Sequence, residues 1–171
     1  MPKPRAEKVA DIVRDAGGRL IGRTRLQKLA YFLELTGLGE GFDFEYRHYG
    51  PYSEELAAAA RMADFLGYLA EAETSTNWGG FYSIYTTTNK SPSTMNAARL
   101  TIAQLGAKAD PVELELAATA VFFAVEGNPD PWRETAQRKP EKAEGHRLEN
   151  AKALYKAIRN IETPRPLPDI G

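Results

Sequence analysis

Two histidines, 23 acidic side chains, 22 basic side chains and no cysteine make up the reactive inventory of this 171-residue chain. Without cysteine there is no disulfide, zinc finger, iron–sulfur cluster or thiol nucleophile. His48 and His146 stand far apart, and neither falls in a metal-ligand spacing such as His-Glu-x-x-His. No Gly-x-Ser-x-Gly elbow is present, and no pair of carboxylates has a spacing that alone would place it in a cleft. Gly37-Leu38-Gly39-Glu40-Gly41 is glycine-rich but lies after a helix and before a strand. A phosphate cradle needs the reverse order, so that a helix N-terminus faces the anion. The sequence therefore predicts no catalytic residue, no metal and no cofactor, and the protein is not expected to be an enzyme.

Two other groups of residues remain. The first is aromatic. Tyr49-Gly50-Pro51-Tyr52-Ser53 and Trp78 stand in a segment that also holds Tyr46, Phe81, Tyr82 and Tyr85. Core packing claims some of these rings, and the remainder fit an exposed contact surface of the kind enriched at protein interfaces. Tyr49, Gly50, Pro51, Tyr52, Ser53 and Trp78 are thus the expected partner-binding residues. The second group is basic. Arg19, Arg23, Arg25 and Lys28, with Arg47, could meet phosphates if they formed one patch. The net charge of −1 argues against a dedicated nucleic-acid binder, and a solvated helix start explains the cluster equally well.

The elements that must position these residues are clearly punctuated. A first helix is expected from about Arg5 to Ala16, ending at Gly17-Gly18, then a short strand at Leu20-Ile21. Thr24-x-x-Gln27 reads as a capping box opening a second helix, with Leu26, Leu29, Ala30 and Leu33 inward. Phe42 to His48 alternates in polarity like a half-buried strand, and Gly50-Pro51 reads as a turn. Ser53 caps a third helix that ends at Gly67. Two strands joined by Asn77 to Gly80 form a hairpin. Asp110-Pro111 opens the most apolar helix, expected at the centre, and helices starting at Asp130 and near Leu148 follow it. Three prolines in Thr163 to Gly171 predict an extended, solvated tail.

The expected fold is mainly α with a small antiparallel sheet (α+β). A winged-helix-like N-terminal half, residues 1–89, packs on a C-terminal helical half, residues 90–162. An extended tail, 163–171, completes a single domain. Ser53 to Leu66 would be the recognition helix and Asn77 to Gly80 the wing tip, but Glu54 and Glu55 would face phosphates unfavourably. With 43% hydrophobic residues the chain can bury a core. It contains no signal-peptide pattern and no apolar run long enough for a membrane, so a cytoplasmic location and no membrane association are expected.

Gly22-Arg23-Thr24-Arg25-Leu26-Gln27-Lys28-Leu29-Ala30-Tyr31-Phe32, followed by an aromatic strand and Tyr49-Gly50-Pro51-Tyr52-Ser53, resembles the LQKLxYF … YGP signature of YwgA-like bacterial proteins. It is also similar to the related Panacea (SocA-type) antitoxin domain. Leu114 to Thr119 and Lys139-Pro140 extend the likeness into the second half. The resemblance implies a domain that neutralises a toxin by direct contact. The function expected from residues and resemblance together is a non-catalytic regulatory module that binds another protein, a toxin among the candidates. A winged-helix transcription regulator that binds DNA is the alternative.

Overall fold

Residues 2–171 are described by a computed structural model. Helix α1 (Arg5–Asp15) turns Val9, Ile12 and Val13 inward and stops at a glycine pair. Strand β1 (Arg19–Ile21) leads into α2 (Arg23–Leu35), whose Leu26, Leu29, Phe32 and Leu33 are buried. A hairpin of β2 (Glu45–Arg47) and β3 (Gly50–Tyr52) follows. The chain continues through α3 (Glu54–Leu66), β4 (Ala70–Ser75) and β5 (Phe81–Thr86). Four helices then run in succession: α4 (Ala97–Lys108), α5 (Pro111–Val125), α6 (Pro131–Arg138) and α7 (Arg147–Arg159).

The sheet pattern is antiparallel throughout. β5 is the central strand of three, with β1 on one side and β4 on the other. β2 and β3 form a separate two-stranded sheet. Mainly helical structure with small antiparallel sheets is therefore the observed class, in the helix–strand–helix–helix–hairpin order expected from sequence. The N-terminal half is joined to the helical half through one apolar cluster that includes Leu29, Phe32 and Leu33 with Ile102, Leu114 and Ile158. α5 is apolar on all sides because it is covered on all sides: Leu114, Leu116, Ala117, Ala118, Ala120 and Val121 are fully buried.

Local capping chemistry accounts for most boundaries. The Ser53 hydroxyl accepts from the Leu56 N–H, and Asp110 accepts from Val112 and Glu113. Gly67 closes α3 in the left-handed conformation, φ 82°. Four expectations are corrected. The capping box at Thr24 does not form: Gly22 precedes the helix, no side chain caps it, and Gln27 is used elsewhere. The strand expected over Phe42 to His48 is confined to Glu45–Arg47, because Phe42 is buried in the core and only this length has a pairing strand. Gly50-Pro51 is strand rather than turn, and the chain reverses at His48 and Tyr49 instead. The C-terminal tail is not solvated along its length. Leu167 is buried, Arg165 N–H donates to the Thr36 carbonyl at 3.0 Å, and the Tyr155 hydroxyl donates to Pro168 at 2.5 Å.

One buried ion network ties the halves together. Arg99 of α4 donates from Nε to Asp15 of α1 at 2.7 Å, and from Nη1 to Glu40 at 2.6 Å and the Leu38 carbonyl at 3.1 Å. Asp15 also accepts from the Ser93 N–H and hydroxyl. The glycine-rich loop at residues 37–41 thus serves to bring Glu40 to Arg99. Removing one partner of a buried pair leaves the other charge uncompensated. Arg99→Met is expected to lower stability by about 3 kcal/mol in urea unfolding, whereas Arg147→Met on the exposed start of α7 changes it by less than about 0.5 kcal/mol.

Candidate functional site

The segment from His48 to Ser53 is held by side chains from three other elements. Gln27 of α2 exchanges two hydrogen bonds with the Ser53 backbone, donating from Nε2 to the carbonyl at 2.9 Å and accepting from the N–H at 2.8 Å. One turn face away, Lys28 Nζ donates to the Pro51 carbonyl at 2.6 Å. From the connection after α6, Lys139 Nζ donates to the His48 carbonyl at 3.0 Å. Beneath the hairpin, Glu115 of α5 is buried and accepts from Lys139 at 3.1 Å and Lys142 at 2.7 Å. Gly50 lies directly on α5, where a Cβ would stand 2.4 Å from Thr119 Oγ1, and its φ is +84°. Only glycine meets both conditions.

Lys28 is 1% exposed, the most thoroughly buried cation of the chain among the described residues. Burial pushes its ammonium down from 10.5 to about 7. Lys139 and Lys142 add to the lowering, and Glu115 partly opposes it. Lys28 is therefore unavailable to a phosphate, a correction to its place in the basic cluster. The other four cations do not form one patch with it. Arg23 is paired with Glu71 at 3.0 Å and Glu73 at 3.5 Å. Arg25 donates to the carbonyls of Ile21 and Ala109. Arg47 is bridged to Glu45 and Glu54, with its guanidinium over the Tyr52 ring. Arg19 is exposed on β1.

The aromatic set divides in the same way. Gly50, Pro51 and Ser53 are buried and belong to the framework, and Tyr52 is half-buried. Tyr49 and Trp78, distant in sequence, meet across a cleft of about 640 Å³ between the start of α2 and the β4–β5 hairpin. Trp78 is 84% exposed, Phe81 73% and Tyr49 58%, and Tyr82 is also exposed. Arg23 and Arg25 line the opposite wall. Sequence reasoning grouped Phe81 and Tyr82 only with a general aromatic segment. Both stand at the exposed first residues of β5, at the tip of the hairpin, whereas Ser83 and Tyr85 further along the strand are buried. Glu115 and Gln27 carried no local signal of their roles. His48 lies in the hairpin turn and His146 precedes α7. Among the described residues, no cluster of three or more His, Asp or Glu side chains is arranged to hold a metal, and no helix is long and apolar enough to cross a membrane.

No family model matches the chain. It is similar to the uncharacterized protein YwgA of Bacillus subtilis (strain 168), with 29% identity over 113 residues, or 62% of this chain and 67% of that protein. This likeness supports the YwgA-like resemblance seen in the LQKL and YGP segments.

The buried lysine has a signature in solution. Between about pH 7 and the unfolded value of 10.5, an unfolded chain holds a proton on Lys28 that the folded chain has released. Stability must then rise with pH through this window. Wild type is expected to gain about 1 kcal/mol per pH unit relative to Lys28→Met between about pH 8 and 9.5, measured by urea unfolding. At the hairpin, Gly50→Ala should cost at least about 2 kcal/mol, against about 1 kcal/mol for Gly67→Ala, where φ alone is strained. A Thr119→Ala background should return part of the Gly50→Ala loss.

Proposed function

We propose that the protein is a non-catalytic regulatory module that acts by direct contact with a partner protein through the cleft bounded by Tyr49, Trp78, Phe81 and Tyr82. The exposure of these four rings around one cleft carries the proposal. Large aromatic side chains held in water forgo burial worth on the order of 2 kcal/mol each, and aromatic anchors dominate protein interfaces. Two polar groups of the cleft, Arg23 and Ser83, are already committed to Glu71, which accepts from Arg23 and from the Ser83 hydroxyl at 2.6 Å. That arrangement suits a rigid contact surface better than a proton-transfer site. The resemblance to the Panacea domain extends the proposal to an antitoxin-like role, in which the cleft occludes a toxin.

A duplex-binding role is less well supported. Lys28 is buried, three of the remaining four arginines have carboxylate or carbonyl partners, and the first turn of α3 carries Glu54 and Glu55. The test is co-expression with the product of the adjacent reading frame, followed by affinity measurement on the purified pair. Trp78→Ala is expected to weaken the complex at least about tenfold with the fold unchanged. Equal affinity in Trp78→Ala and Tyr49→Ala would overturn the proposal, as would duplex binding that weakens steeply with salt in place of protein binding.

A further inference from the structure

A second groove of about 790 Å³ lies on the other side of Tyr49, between the β2–β3 hairpin and the connection from α6 to α7. Its lining is unbalanced in charge: Arg47, His48, Arg138, Lys139 and Lys142 face a single carboxylate, Glu141. Below its floor, buried Glu115 is shared by Lys139 and Lys142, and one carboxylate neutralises only one of the two. Arg138 is held over the Tyr46 and Phe123 rings, with Nε given to Glu134. Arg47 and Arg138 pair with carboxylates at exposed positions, and such pairs exchange for an incoming anion at little cost.

The groove is continuous with the aromatic cleft. Lys142 Nζ lies 4.7 Å from the centre of the Tyr49 ring, and that ring lines the cleft. From this continuity, and resting on the protein-binding reading above, we infer that the basic groove receives a carboxylate-rich segment of the same partner, an acidic stretch adjoining the residues that enter the cleft. The cations are spread along an open groove, and among the described residues that line it none begins a helix, which fits successive carboxylates better than a single phosphate. The ring faces of Tyr46 are taken up by Arg138, Phe122 and Phe123, so a nucleobase has no stacking platform there.

The test uses the isotopically labelled full-length chain, titrated at low salt with an acetylated hexaglutamate peptide and, separately, with tripolyphosphate, and followed by amide chemical shifts. The peptide lacks aromatic residues and so reports on the groove independently of the cleft. It is expected to shift amides at residues 47–49 and 138–142, to bind about fivefold or more weakly to Lys142→Gln and to Arg47→Gln, and to be unaffected by Trp78→Ala. Both substituted side chains are partly exposed, so the variants keep the core. Shifts with tripolyphosphate but not with the peptide would replace the acidic segment by a small polyanion and overturn the inference. No response to either would also overturn it. A partner complex indifferent to Trp78→Ala would sink the cleft reading while leaving the peptide titration as it stands.

Discussion

An ammonium group sealed from water beneath a β-hairpin is unfavourable unless the chain supplies hydrogen-bond partners, and Lys28 is placed in that position. Its nitrogen reaches the Pro51 carbonyl at 2.6 Å, and Gln27, one residue earlier on the same helix, closes two bonds with Ser53. These contacts hold the backbone of β3 at Pro51 and of the residue that follows the strand, Ser53, which caps α3. Supplying these contacts from a helix lets a hairpin of three-residue strands persist, which on its own would be marginal. Glu115 and Lys139 complete the arrangement from the helical half. The seat of the hairpin is thus the place where both halves of the chain meet in charge as well as in apolar area.

The exposed surfaces depend on that seat. With Gly50 against Thr119 and Pro51 tied to Lys28, the turn at His48 and Tyr49 has a fixed position. One side of Tyr49 meets the aromatic cleft and the other meets Lys142. Trp78 and Phe81 come from the tip of a different hairpin, whose central strand is anchored by β1. The cleft therefore combines two rigid supports, and little ordering of the chain remains to oppose association.

Much of the architecture was legible because its signals are local. Val9, Ile12 and Val13 at helical spacing, Ser53 and Asp110 at helix starts, and Gly67 at a helix end act within a few residues and behave as their chemistry requires. The apolar run at residues 114–121 announced a central helix by composition alone. Readings failed where a side chain had both a local and a distant use. Gln27 has the spacing of a capping residue but bonds Ser53, 26 positions away. The prolines of the tail favour extension, which is kept, but Leu167 and Arg165 find partners on the body that no local pattern reveals.

The sequence by itself determined which segments are helical, the β4–β5 hairpin, the absence of thiol chemistry and the aromatic, glycine- and proline-containing stretch from Tyr49 to Ser53. Only the tertiary structure decided the role of each residue within that stretch. Gly50, Pro51 and Ser53 became framework, Tyr49 joined Trp78 across a cleft, and Lys28 left the basic cluster for the interior. The physical reason is that periodicity states which face of an element is apolar. Whether a polar or aromatic side chain on that element is buried or exposed depends on what packs over it, and that is settled by residues more than 20 positions away.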